Sequence, residues 1–320
     1  MGVLLLSSFD LVYLGEKAVE LGFVRDTLEK VYRLVDILEY LNTNPILKDS
    51  LALKGGTAIN LTIFNLPRLS VDIDLDYVQT DNKEEMLANR ERINDAIERF
   101  MVVQGYVKSP QSKTPHALDS WVFGYINAAG NRDNIKIEIN YSLRAHILLP
   151  EQRPIVTDHL SGNYLVMTLA PVEIFGSKIT ALLSRAAARD LYDVANMIRY
   201  GIFDESEEEL LRKCVVFYTA ISSGSVIRSV DTRALNQLTE HRIKTDLLPV
   251  LRKKEHFDIR STKQLVMTYF KHLMKLTKSE VEFVECFENK EYRPELLFED
   301  AEIVARLAKH PMALWKTQKE

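Results

Sequence analysis

The sequence predicts an α+β protein, a small mixed-sheet core flanked by helices and followed by a large C-terminal helical domain. Three observations predict this class. Between residues 51 and 141, short runs alternate apolar and polar side chains with the two-residue period of half-buried strands. Around those runs, apolar residues recur at threes and fours, the spacing of one helix face. After Pro171 the helical spacing continues almost to the end of the chain. At 320 residues the chain exceeds one typical domain. Its pattern divides it into N-terminal helices over 1–50 that pack on the core, the core itself over 51–160, and the helical domain over 161–320.

Taken in order, residues 26–41 place Leu28, Val31, Leu34, Val35, Leu38 and Leu41 on one helix face. Asn42-Thr43-Asn44-Pro45 ends that helix, and Leu51-Ala52-Leu53-Lys54 reads as a short strand running into Gly55-Gly56. A brief helix over 58–64 stops at Pro67. Residues 70–77 set Val71, Ile73 and Leu75 against Asp72, Asp74 and Asp76, a half-buried strand with an acidic face. A helix over 82–102, a loop over 108–118 and a strand over 121–127 follow. Residues 133–141 alternate again, with Ile135, Ile137 and Ile139 opposing Lys136, Glu138 and Asn140. Residues 171–200 and 206–220 read as helical segments.

Composition narrows the function classes. Hydrophobic residues make up 46% of the chain, enough for a sizeable core. Charged residues make up 27% and balance to −4, so no global positive field drives binding to nucleic acid; any such contact needs a local patch. Cys214 and Cys286 are far apart, which gives no disulfide framework and fits a reducing cytoplasm. The apolar start over residues 1–8 has no basic residue before it and no small-residue cleavage site after it, so no signal peptide is expected. Leu6 stands where a myristoylation signal needs Ser or Thr, and no stretch reaches the ~18 apolar residues of a membrane span. The expected protein is soluble and cytoplasmic, with no membrane partner.

Three groups of residues carry chemistry. In Lys54-Gly55-Gly56-Thr57-Ala58 a strand turns into a helix, and two glycines allow positive φ and a close backbone approach to phosphate; Thr57 adds a hydroxyl. Read alone, a Gly-Gly turn is as well a turn and nothing more. Asp72, Asp74 and Asp76 project from one strand face about 6 to 7 Å apart, a costly row unless a divalent cation such as Mg²⁺ compensates it; the alternative is a solvated edge. Glu138 can supply a third carboxylate if its strand lies beside the aspartates, or it is a surface residue paired with Lys136. On one helix, Lys178, Arg185, Arg189 and Asp193 fall within a stripe of about 80°, beside Asp190. The cationic excess suits a triphosphate or an RNA backbone, or is an ordinary salt-bridged face.

Read together, Leu53-Lys54-Gly55-Gly56-Thr57-Ala58, Arg68-Leu69-Ser70-Val71-Asp72-Ile73-Asp74-Leu75 and the run from Lys178 through Arg189-Asp190-Leu191-Tyr192-Asp193 resemble one family. They are similar to the AbiEii-type nucleotidyltransferase toxins of type IV toxin–antitoxin systems, within the DNA polymerase β-like superfamily. The resemblance covers about residues 15 to 200. It implies that Asp72 and Asp74 hold Mg²⁺ (or Mn²⁺), that Glu138 completes the acidic site, and that Gly55, Gly56 and Thr57 cradle the nucleoside triphosphate. Lys178, Arg185 and Arg189 would hold phosphates, and Asp190 or Asp193 would orient the acceptor or the basic side chains. Asp76 leaves the metal pair open, since Asp74 with Asp76 also reads Asp-x-Asp.

The implied reaction moves a nucleotide from an NTP to an acceptor, the 3′ end of tRNA, releasing pyrophosphate and blocking translation. Arg252-Lys253-Lys254 would touch that RNA from the helical half. A cognate antitoxin encoded nearby is expected, with or without direct binding. The alternatives are transfer to a protein or small molecule, and a nucleotide-binding interaction module with no transfer.

Overall fold

The structure is a computed structural model that describes residues 10–157, 160, 164–222 and 233–318. The apolar start, residues 1–8, lies outside the described residues. The chain divides into two compact units. The first comprises Met1–Tyr141, Gln152–Thr168 and Leu248–Glu255; the second comprises Ser142–Glu151, Leu169–Leu247 and His256–Glu320.

The first unit opens with helices α1 (Leu11–Leu21) and α2 (Arg25–Thr43). Every apolar position that the periodicity puts on one face of α2 is buried. Glu29 is buried among them, where it accepts hydrogen bonds from Arg33 at 2.8 and 2.9 Å and from the Ala128 amide at 2.9 and 3.1 Å. A buried carboxylate is tolerated because its lone pairs are filled. After α2 come strand β1 (Leu51–Lys54), a four-residue turn of helix, α3 (Gly55–Ala58), and a π-helical turn over Ile59–Ile63. The brief helix expected at 58–64 therefore starts on the glycines themselves and widens before Pro67.

Strand β2 (Asp72–Tyr77) leads into helix α4 (Lys83–Val103), capped by a reciprocal pair in which Asn82 accepts from the Glu85 amide. The loop expected at 108–118 gives up its first residue to a two-residue edge strand, β3 (Val107–Lys108). Strands β4 (Leu118–Ile126) and β5 (Arg132–Asn140) form an antiparallel hairpin, and the shorter β6 (Glu151–Arg153) and β7 (Val166–Thr168) complete a mixed sheet in the order β3-β4-β5-β2-β1-β7-β6. The strand expected at 121–127 begins three residues earlier, because Leu118, Asp119 and Ser120 pair with Asn140, Ile139 and Glu138.

In this sheet β2 is central, antiparallel to β1 and parallel to β5. Ile73, Leu75, Ile135, Ile137 and Ile139 are buried, so the opposite face of both strands carries the polar side chains. The segment Leu248–Glu255 belongs to this unit: Leu251 bridges Arg68, and the Val250 carbonyl accepts from the Leu69 amide at 2.8 Å. Arg252 donates to the carbonyls of Leu21 and Leu66 and covers the ring of Phe23. The guanidinium expected to meet RNA from the helical half lies in the sheet unit, where it ties the end of α1 to the loop before β2.

The second unit is helical. The helical segment expected over 171–200 is two helices, α5 (Pro171–Arg185) and α6 (Ala188–Arg199). Ala186, in the left-handed region at φ 46°, separates them. Helix α7 (Glu205–Ser222) packs on α5, and helices Ile259–Leu273, Lys278–Glu288, Ala301–Leu307 and Pro311–Thr317 follow. Glu173, fully buried in the first turn of α5, accepts from the amides of Ile147 and Leu148 at 3.0 Å each and from the Tyr218 hydroxyl, with His146 Nδ1 at 3.3 Å. That carboxylate draws the Ser142–Glu151 segment into the helical unit. Among the described residues no helix is long and apolar enough to cross a membrane.

Candidate active site

The acidic face of β2 is built by register. Lys54 on β1, Asp74 on β2, Glu138 on β5 and Ser120 on β4 are successive cross-strand partners, so one polar row crosses four strands. Asp72 stands two residues along β2 on the same face, opposite Lys136. Asp72, Asp74 and Glu138 are each half-buried. The structure thus brings Glu138 beside the aspartates through a parallel pairing.

The turn after β1 is shaped by the side chains around it. Gly55 has φ 67°, and a Cβ there would lie 2.6 Å from Asp74 Oδ2. A Cβ on Gly56 would lie 2.6 Å from Arg68 Nη2 and 3.0 Å from Ser70 Oγ. Gly55 is required by its positive φ and the Asp74 carboxylate, while a side chain at Gly56 would make the buried Arg68 guanidinium shift. Thr57, expected to offer its hydroxyl to a nucleotide, is buried and donates at 2.5 Å to the Asp72 carbonyl, with Ser70 Oγ at 3.0 Å. It fastens the turn to Asp72, the first aspartate of β2; such a bond contributes about 1 kcal/mol.

Asp76 differs from its two neighbours. Only 2% exposed, it is ion-paired with Lys54 at 2.5 Å. The expected row of three equivalent aspartates is in fact two half-buried carboxylates and one that is buried against Lys54. Glu138 is also engaged, with Lys136 Nζ at 2.9 Å. Among the described residues no three His, Cys, Asp or Glu side chains form a ready-made metal cluster. The donor chemistry on the β2 face nonetheless fits Mg²⁺, which takes hard carboxylate oxygens from one or two residues and keeps positions for water and phosphate.

The second constellation lies within the helical unit. Because α5 and α6 are separate, Lys178, Arg185, Arg189 and Asp193 do not share one helix face. Twelve residues along a continuous helix would span about 18 Å, yet Lys178 Nζ is 2.9 Å from Asp190 Oδ1 and 3.3 Å from Asp193 Oδ2. All three side chains are buried. Arg185 Nη2 reaches the other oxygen of Asp190 at 3.3 Å while its side chain stays 69% exposed. Arg189 Nε donates to the Asp246 carbonyl at 2.8 Å. The expected cationic excess on one stripe becomes two cations interlocked with two carboxylates.

Arg185 also lines a cleft of about 330 Å³ together with Ala186, Ala188, Gln237, Arg242 and Asp246. Arg242, itself largely exposed, pairs with Asp246 at 3.3 Å. Sequence reasoning missed Lys54, Arg68 and Arg242. Lys54 and Arg68 stand inside the two quoted motifs but were given no role there; nothing in the spacing points to Arg242.

The comparisons with known proteins agree with this fold. Over 93% of its length the chain is similar to the nucleotidyltransferase toxin MenT4 of Mycobacterium tuberculosis H37Rv, at 19% identity, a TM-score of 0.62 and 98% coverage of that chain. Fainter likenesses are to the Cid1 poly(U) polymerase bound to MgATP (12% identity, TM-score 0.28, 94% of this chain and 92% of that one) and to the Escherichia coli MS115-1 CdnC–HORMA complex (13%, 0.25, 96% and 98%). A search of curated proteins finds no significant match. The model of the AbiEii nucleotidyltransferase toxins of type IV toxin–antitoxin systems matches residues 36–275, which include the glycine turn, the β2 aspartates and the Lys178–Asp190–Asp193 cluster. The chain belongs to the AbiEii family of nucleotidyltransferase toxins.

Proposed function

We propose that this toxin transfers a nucleotide from an NTP to the 3′ end of tRNA in a Mg²⁺-dependent reaction, and that the added nucleotide blocks translation in the cytoplasm. The observation that carries the reading is Asp74, whose carboxylate lies against the Gly55 backbone on one side and in register with Glu138 on the other. Asp72 and Asp74 would hold the cation, with Glu138 completing the set as its contact to Lys136 is given up. When bound, the cation supplies positive charge to the acceptor hydroxyl and to the departing pyrophosphate.

The chain's own residues do the rest. Gly55 and Gly56 present backbone to the triphosphate, and Thr57 keeps that turn at a fixed distance from Asp72. The acceptor hydroxyl gives its proton to water and its oxygen forms an ester with the α-phosphorus, while the bond from the α-phosphorus to the bridging oxygen breaks and pyrophosphate leaves. Arg185 takes phosphate charge, held in place by Asp190, which Lys178 fixes in turn. Arg189 serves the same cluster through its hold on the 246 carbonyl, and the cleft between Arg185 and Arg242 accepts the RNA backbone. A cognate antitoxin encoded nearby would restrain the activity.

The test is to incubate the protein with each α-³²P nucleotide, Mg²⁺, total RNA and cell protein. Label at an RNA 3′ end, with pyrophosphate released, is the expected result. Label on protein or on a small molecule would replace the acceptor, and no release with any nucleotide would leave a binding module.

A further inference from the structure

We infer that Lys54 is a positioning residue that withdraws Asp76 from the metal set and so fixes Asp72 and Asp74 as the pair that takes the cation. This rests on the metal-dependent reading above. By spacing alone β2 offers two overlapping Asp-x-Asp pairs. The geometry separates them. Lys54 is the cross-strand partner of Asp74, and its side chain reaches diagonally to Asp76, where Nζ meets Oδ1 at 2.5 Å. Asp76 is 2% exposed, whereas Asp72 and Asp74 are half-buried on the same face.

A carboxylate buried that deeply needs a counter-ion, and the ammonium is one that the chain carries itself. A divalent ion bridging Asp74 and Asp76 would have to displace it against like-charge repulsion. Lys54 also directly precedes Gly55, whose backbone lies against the Asp74 carboxylate. One residue therefore occupies the unwanted site and borders the wanted one.

The experiment counts Mn²⁺ bound to the full chain by the loss of its free-ion electron paramagnetic resonance signal, with no nucleotide or acceptor present. Transfer is measured in parallel. Asp74→Asn should lose Mn²⁺ binding, while Asp76→Asn should keep both the Mn²⁺ and the transfer of the wild type. Lys54→Met should bind additional Mn²⁺, or bind it ~10-fold more tightly, while transfer falls ~10-fold. The double variant Lys54→Met/Asp76→Asn, which buries no unpaired charge, should regain the wild-type stoichiometry and rate.

If Lys54→Met does not fold, the comparison of Asp76→Asn with Asp74→Asn still decides. Loss of Mn²⁺ binding in Asp76→Asn equal to that in Asp74→Asn would overturn the inference, as would a folded Lys54→Met with unchanged binding and rate. Wild-type protein that takes up no Mn²⁺ would overturn the metal reading itself, and this inference with it.

Discussion

Asp74 Oδ2 lies 2.6 Å from the point where a Cβ on Gly55 would sit, so the glycine turn and the acidic strand are two halves of one feature. Gly55→Ala would place a methyl group against that carboxylate and a non-glycine residue at φ 67°. The left-handed conformation alone costs roughly 1–2 kcal/mol. Displacing the carboxylate by an ångström is worth ~10²-fold in rate. The expected outcome is a modestly lower melting temperature with transfer reduced ~10²-fold; calorimetry and a labelled-nucleotide assay check it.

Asp72→Asn and Asp74→Asn should each lower transfer by ~10²-fold or more while leaving the fold intact, since Asn keeps the shape of each half-buried side chain. Growth inhibition on induced expression should be relieved in both. Undiminished toxicity of either would remove that residue from the site.

Thr57→Val keeps the shape of the side chain and deletes its hydrogen bonds to the Asp72 carbonyl and Ser70. A loss of about 1 kcal/mol is expected in denaturant unfolding. If Thr57 works by fixing Asp72, kcat should fall while KM for the nucleotide changes little; a hydroxyl that touched the triphosphate would raise KM.

The helical unit should soften in mild acid. Burial, then the charge of neighbouring His146, pushes His310 from its usual 6.5 down to about 3. The unfolded chain therefore binds a proton between those values that the folded chain refuses. Stability is complete above pH 6.5 and drains as the pH falls towards 3, by about 2 kcal/mol on reaching pH 5. Glu173 adds to the trend at lower pH. Burial alone would raise its carboxyl, but hydrogen bonds and charge from His146, with Tyr218 and the Leu148 amide, hold it below its usual 4.5, so its contribution is lost as it protonates. His310→Asn, which can still cap the last helix, should flatten the melting temperature between pH 6.5 and 5.

Much of the sheet was legible because burial on one face imposes a period of two. Ile73, Leu75, Ile135, Ile137 and Ile139 announced both β2 and β5, and their opposite faces announced Asp72, Asp74 and Glu138. What could not be read depends on contacts distant in sequence. The break between α5 and α6 falls at Ala186, where no glycine or proline marks it, so Lys178 looked like a free cation instead of the partner of Asp190 and Asp193. The inward turn of Thr57 and the diagonal reach of Lys54 follow from strand register, which spacing alone does not reveal.

Crystals grown with Mn²⁺ and a non-hydrolysable nucleoside triphosphate would test the metal assignment most directly, through anomalous scattering. The account predicts a Mn²⁺ peak ~2.0 to 2.2 Å from carboxylate oxygens of both Asp72 and Asp74, with Asp76 still on Lys54. A peak coordinated by Asp76, or a bound nucleotide with no cation near β2, would contradict it.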